Sequence, residues 1–152
     1  MELNGGAHSA HKNTRREARE MALRMLFQID VGKQPVDEVI TAGLTQSVLE
    51  GGNREYAEEV VRGTIERMRE IDETLERLAT DWSLDRQAAV DRNILRMTAY
   101  EVLFRADTPV ASVINEAVEL AKKYSTADSG RFVNGVLGAV ARSIPRGAQE
   151  GF

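Results

Sequence analysis

Apolar residues recur every three or four positions from Ala18 to Ile144, and no stretch alternates with period two for long enough to make a strand. A chain patterned this way buries one face of each of several helices and builds its core by packing helix on helix. The pattern predicts an all-α fold before composition is considered.

Caps and breakers place the helices. Thr14 and Glu17 form a T-x-x-E capping box, and Ala18, Met21, Ala22, Met25, Leu26 and Ile29 define a first buried face that Gly32 and Pro35 end. A shorter helix reads from about Val36, with Val39, Ile40, Leu44 and Val48 on one side, and stops at Gly51-Gly52. Asn53 can cap a third, long helix whose seam runs through Val61, Thr64, Met68, Ile71, Leu75, Leu78 and Trp82. Ser83 can cap a short turn from Leu84 to Ala89. The segment after it is apolar almost all round at Ile94, Leu95, Met97, Val102, Leu103 and Phe104, which predicts a central helix. Thr108-Pro109 interrupts the pattern, and Val110, Val113, Ile114, Ala117, Val118, Ala121 and Tyr124 make the next face. Asp128 or Ser129 can cap the last helix, where Phe132, Val133, Val136, Leu137, Val140 and Ile144 face the core. Gly135 and Gly138 in that helix each cost about 1 kcal/mol against alanine, which predicts close backbone approach there.

These elements sum to six or seven helices in two small packed helical bundles. Residues 14–82 form the first and 83–143 the second half of one domain, between an N-terminal tail over 1–13 and a C-terminal tail over 144–152. At 152 residues and 42% hydrophobic, the chain is long and apolar enough to bury a real core. It has no cysteine, no window near the roughly 18 apolar residues of a membrane span, and no apolar signal segment at its start. A cytoplasmic address, with no membrane partner, is the expectation.

Few residues here suit catalysis. Both histidines, His8 and His11, fall in the tail, so no Ser-His-Asp arrangement is available to the folded part. No phosphate-cradling G-x-x-x-x-G-K-[ST] loop occurs. Glu101, Glu116 and Glu119 are the carboxylates that a di-metal bundle would use, but the Glu-x-x-His pairs such a site needs are missing. Glu116 and Glu119 read as exposed charges, Glu119 within a turn of Lys122 and Lys123. The run Glu66, Glu70, Asp72, Glu73, Glu76 reads as a solvated helix face. The expectation is a protein without cofactor or metal that is not an enzyme.

Binding remains, and the charge layout points to its chemistry. The net charge of -4 hides a segregation: residues 1–36 carry six Lys/Arg against four Asp/Glu, residues 37–91 six against fourteen, and residues 92–152 eight against six. A polyanion prefers the ends, and the acidic middle suits solvent or a basic protein. Arg15, Arg16 and Arg19 crowd the first turns of the first helix, with Arg24 a turn further on. Guanidinium suits phosphate because it donates bidentately and is always charged, although Glu17 and Glu20 equally allow surface salt bridges. Lys122, Lys123, Arg131 and Phe132 gather at the junction of the last two helices, a mixture of cations and stacking surface that fits single-stranded RNA. The alternative is a homo-oligomeric interaction module, a homodimer for instance, that uses Leu23 or Phe27 as its interface.

Four blocks carry a resemblance: R-R-E-A-R-E-M-A-L-R-M-L-F from Arg15, D-R-N-I-L-R-M-T-A-Y-E-V-L from Asp91, I-N-E-A-V-E-L-A-K-K-Y from Ile114 and R-F-V-N-G-V-L from Arg131. In this order they resemble the NusB family of transcription antitermination factors, over about Thr14 to Arg142. The resemblance implies an all-helical fold of two bundles. It also implies binding of boxA RNA in nascent transcripts, notably of rRNA operons, together with the ribosomal protein NusE, as part of an RNA polymerase antitermination complex. It assigns RNA contact to Arg15, Arg16 and Arg19 and, at the second segment, to Arg131 and Phe132. It maps the NusE surface to the region from Asp85 to Glu101, with Asp85, Asp91, Arg92 and Glu101 as candidates. Glu17 stands where the family often has a third arginine.

Overall fold

A computed structural model describes residues 14–79 and 87–145. Within them the chain forms seven helices: α1 (Arg15–Asp30), α2 (Val36–Gln46), α3 (Gly51–Glu66), α4 (Met68–Leu78), α5 (Ala89–Phe104), α6 (Val110–Tyr124) and α7 (Ala127–Arg142). No strand occurs among the described residues. Trp82, Ser83, the first part of the turn expected from Leu84 to Ala89, and both tails up to Asn13 and from Arg146 lie outside them, and Ala89 already opens α5.

The capping box forms as the sequence dictates. Thr14 Oγ1 accepts from the Glu17 backbone N–H at 3.1 Å, and Glu17 Oε1 accepts from the Thr14 N–H at 2.8 Å. The turn after α1 departs from expectation in one detail: Lys33, not the neighbouring Gly32, takes the left-handed backbone at φ 55°. Gly51-Gly52 opens α3 instead of closing α2, with Glu50 at the N-cap position in place of Asn53. Gly51 has φ 55°, a conformation that glycine adopts freely.

The predicted long third helix is two. Arg67, at φ -102° and ψ 13°, interrupts it, although its N–H still reaches the Gly63 carbonyl and its carbonyl accepts from Ile71 at 2.9 Å. The break falls four residues after Gly63, where α3 lies so close to α5 that a β-carbon would sit 2.2 Å from the Tyr100 ring. That is the close approach that glycine permits here, and it is not where the sequence suggested. Gly135 has open space around it, and Gly138 faces only the flexible end of Arg142. Thr126, and not Asp128 or Ser129, caps α7 by accepting from the Ser129 N–H at 3.0 Å.

α5 is the central helix, packed against α1, α3, α4, α6 and α7. Ile94, Leu95, Met97 and Ala99 on it are wholly buried, each large side chain contributing about 1.5–3 kcal/mol of burial. Around α5, α1 pairs with α3 and α6 with α7. The two halves share one continuous core that runs from Ala18 to Val140.

Candidate nucleic-acid interface

α1 sorts its arginines by helix face. Arg19 points inward and is 6% exposed. Its Nε lies 3.1 Å from Glu101 Oε1 and its Nη2 3.3 Å from Glu101 Oε2, while Nη1 bonds Glu116. Tyr56 donates its hydroxyl to the same Glu101 carboxylate, and Glu101 is 1% exposed. Burial alone would lower the Arg19 pKa, but hydrogen bonding to Glu101 and its charge outweigh that, and the net shift is upward. This network ties α1, α3, α5 and α6 together. The sequence offers Arg19 to RNA, Glu101 to a protein partner and Glu116 to solvent; in the structure Arg19 bonds both carboxylates.

Arg15, one turn earlier, meets the same Tyr56 ring from nearer the surface, its guanidinium 4.1 Å from the ring centre against 5.4 Å for Arg19, in a depression that also holds Arg105 and Asp107. It remains exposed. Arg16, Glu20 and Arg24 follow at i, i+4 and i+8, which puts them on one stripe of α1 with Leu23 and Phe27 close by. This stripe meets the end of α6. Lys123 Nζ lies 2.7 Å from Glu20 Oε2, and the pairing raises the lysine pKa. Glu20, Leu23, Arg24, Phe27, Val90 and Tyr124 line one groove between α1, α5 and α6.

The cations continue onto α7. A β-carbon at Gly130 would lie 3.0 Å from Lys122 Cγ, so the lysine stem crosses the start of α7 at the residue before Arg131. Lys122 pairs with Glu119 at 3.6 Å, as the helical spacing suggested, and Arg131 pairs with Asp128. All four charges of these last two pairs stay at least half or nearly half exposed. Phe132 is half-buried beside Leu78, Ala79 and Val136. It is chiefly a packing residue whose edge reaches the surface next to Arg131.

The expected cations therefore divide. Arg16, Arg24, Lys122, Lys123 and Arg131 form an exposed band over α1, α6 and α7, Arg15 flanks it on the Tyr56 side, and Arg19 is withdrawn. In sequence Arg24 belongs to the basic side of α1, Phe27 to a candidate dimer surface and Tyr124 to a helix face; the α1–α6 crossing brings them into one groove, where the Phe27 and Tyr124 rings are each 37% exposed.

The proposed protein-partner residues are internal struts. Asp91 is 6% exposed and its Oδ2 accepts from Ser129 Oγ at 2.8 Å, joining α5 to α7. Arg92 donates from Nε and Nη2 to Asp30 Oδ2 at 2.9 and 2.7 Å, joining α5 to the end of α1. Burial works to raise the Asp30 pKa, yet hydrogen bonds from Arg92 and Asn93 and the charges of Arg92 and Arg96 hold it below the usual carboxylate range. Burial takes Asp91 and Glu101 away from a protein-partner surface and makes them structural residues, while Arg92 stays partly exposed beside Asp30. Asp85 lies outside the described residues. Of the pair suggested for a homodimer, Leu23 is 5% exposed and belongs to the core, which leaves Phe27.

Among the described residues no group of acidic or histidine side chains could hold a metal ion, and no helix is long and apolar enough to cross a membrane. Comparison with known proteins gives a consistent picture. The family model described as NusB matches residues 16–142. A transcription antitermination protein NusB from Desulfitobacterium hafniense is 42% identical over 140 residues, 91% of this chain and 95% of that protein. One from an Anaeromyxobacter species is 48% identical over 132 residues, 86% of this chain and 92% of that protein. The solved T. maritima NusB superposes with a TM-score of 0.84 at 35% identity, covering 92% of this chain and 99% of its own. A crystal structure of antitermination factors NusB and NusE in complex with dsRNA matches with a TM-score of 0.78 at 30% identity, over 86% of this chain and 97% of the other. With the family model spanning α1 to α7 and relatives matched over nearly their whole length, the chain belongs to the NusB family.

Proposed function

We propose that this chain is a transcription antitermination factor that binds boxA RNA of nascent transcripts, notably of rRNA operons, together with the ribosomal protein NusE. It acts in the cytoplasm as a binding component of an RNA polymerase antitermination complex and catalyses no reaction. The observation that carries the reading is the exposed band of Arg16, Arg24, Lys122, Lys123 and Arg131 on an otherwise anionic molecule, in a family whose structural neighbour is solved with NusE and RNA. Arg15 and the edge of Phe132 extend the band at its two ends. We assign NusE to the region from Asp85 to Glu101, with Asp85 and the partly exposed Arg92 as candidates and without the buried Asp91 and Glu101 as direct contacts.

Phosphate neutralisation releases counterions, so binding of labelled boxA RNA, followed by anisotropy, falls steeply as salt rises and strengthens when NusE is added. Replacing Arg16, Lys122 and Lys123 by alanine makes the log–log salt slope shallower by about two, since each lost contact to a single strand removes roughly 0.7. A slope unchanged by the triple replacement places the RNA elsewhere.

A further inference from the structure

The stripe of α1 that faces the proposed strand carries one feature that phosphate binding alone does not explain. Glu20 sits between Arg16 and Arg24, one turn from each, and against Lys123, so its negative charge opposes a polyanion in the middle of the cationic band. Its side chain is only 17% exposed and turned into the α1–α6 groove. That groove has a volume of about 270 Å³, a floor of Leu23 and Val90, and the half-exposed rings of Phe27 and Tyr124 on its walls. An apolar slot of this size with aromatic walls suits a planar heterocycle, because every nucleobase has a π-face to lay on a ring. Arg24 at the rim and Lys123 beside Tyr124 stand where the phosphates on either side of such a base need cations.

We propose that this groove is a base-reading subsite for the single strand, with Glu20 as the acceptor that selects guanine. The inference rests on the RNA-binding reading above and adds a sequence preference to it. Glu20 Oε2 is held by Lys123 at 2.7 Å, which fixes the carboxylate's orientation, and Oε1 makes no hydrogen bond among the described residues. A carboxylate only accepts, and it bonds best with two parallel donors. On its Watson–Crick edge guanine offers two neighbouring donors, the ring N1–H and the exocyclic amino group. Adenine and cytosine each set one amino group beside a ring nitrogen acceptor, and uracil sets one N–H between two carbonyls. Three of the four bases thus bring an acceptor toward a fixed negative charge, and guanine does not.

The test uses the full chain and short oligouridine strands carrying one central guanosine, inosine, adenosine or uridine, with affinity read by fluorescence anisotropy. The expected result is that the guanosine strand binds about tenfold more tightly than the adenosine strand, with inosine, which lacks the amino group, between them. Glu20→Gln levels the series, while Lys123→Met, which keeps the carboxylate but releases its orientation, weakens all strands and narrows the guanosine preference without abolishing it. A wild-type series that is level, or a Glu20→Gln chain that keeps the order, overturns the subsite and leaves RNA binding standing. Failure to bind any strand, boxA RNA with NusE included, removes the RNA reading as well. A homodimer whose formation is blocked by Phe27→Ala and excludes RNA gives the groove to a second copy of the chain and also overturns the proposal.

Discussion

Arg19 shows how a single residue type can serve opposite purposes one turn apart. Arg15, Arg16 and Arg19 are equivalent in sequence, yet Arg19 lies on the buried face marked by Ala18 and Ala22 and is consumed by Glu101 and Glu116. Removing one member of a buried ion pair leaves the other charged and desolvated, at a cost of about 3–5 kcal/mol. Arg19→Ala therefore lowers the denaturation midpoint in urea by that equivalent and loosens both halves of the molecule, whereas Arg16→Ala changes stability by less than about 0.5 kcal/mol and acts on RNA affinity. Equal stability of the two variants would mean that the Arg19–Glu101 contact contributes nothing. Counting cations in a sequence cannot make this distinction; the apolar spacing on either side of Arg19 holds the hint, since position 19 follows Ala18 and precedes Ala22 and Leu23 on the same inward arc.

Helices contribute through where they touch, and the glycines record it. At Gly63 a methyl group has no room against Tyr100, so Gly63→Ala destabilises by about 2 kcal/mol despite the better helix propensity of alanine; at Gly135 nothing stands in the way, and Gly135→Ala stabilises by about 1 kcal/mol. Paired thermal melts check the opposite signs. All-α class, the caps at Thr14, the central place of α5 and the faces of α6 and α7 were legible because they follow from local periodicity and hydrogen bonding. The break at Arg67, the role of Gly63 and the burial of Asp91 and Glu101 were not, because each is set by a neighbour remote in sequence. The latch between α1 and α5 is of this kind. Asp30 is held below its ordinary 3.8 by Arg92, Asn93 and Arg96, so its stabilising share is complete above that pH and disappears as pH falls through the lower folded-state value. Asp30→Asn is thus less stable than the parent above about pH 4, by about 2 kcal/mol, and the gap narrows in more acid solution. A gap that stays constant down to strong acid would remove the Asp30 carboxylate from the latch.

At the scale of the whole molecule, the contact between α3 and α5 decides whether the two halves stand or fall together. Two of the chain's three tyrosines sit in it. Tyr56 donates to Glu101, and Tyr100 donates to Glu59 at 2.8 Å, which in turn pairs with Arg105. Burial, reinforced by the nearby carboxylates, pushes the Tyr100 phenol up to about 12 and the Tyr56 phenol up as well, from an ordinary 10.0. A raised folded-state pKa means that the native chain holds these protons more tightly than the unfolded chain does. Their contribution is complete below pH 10.0 and is lost as pH climbs toward about 12. The core is continuous across this contact, so ionisation of the two phenols and loss of helix should coincide in one cooperative alkaline transition. Near-ultraviolet absorbance and far-ultraviolet dichroism followed on the same sample test this. If both phenolates formed at pH 10 with the helix signal intact, the α3–α5 contact would be open to solvent, and the two halves would be separate bundles joined by a hinge.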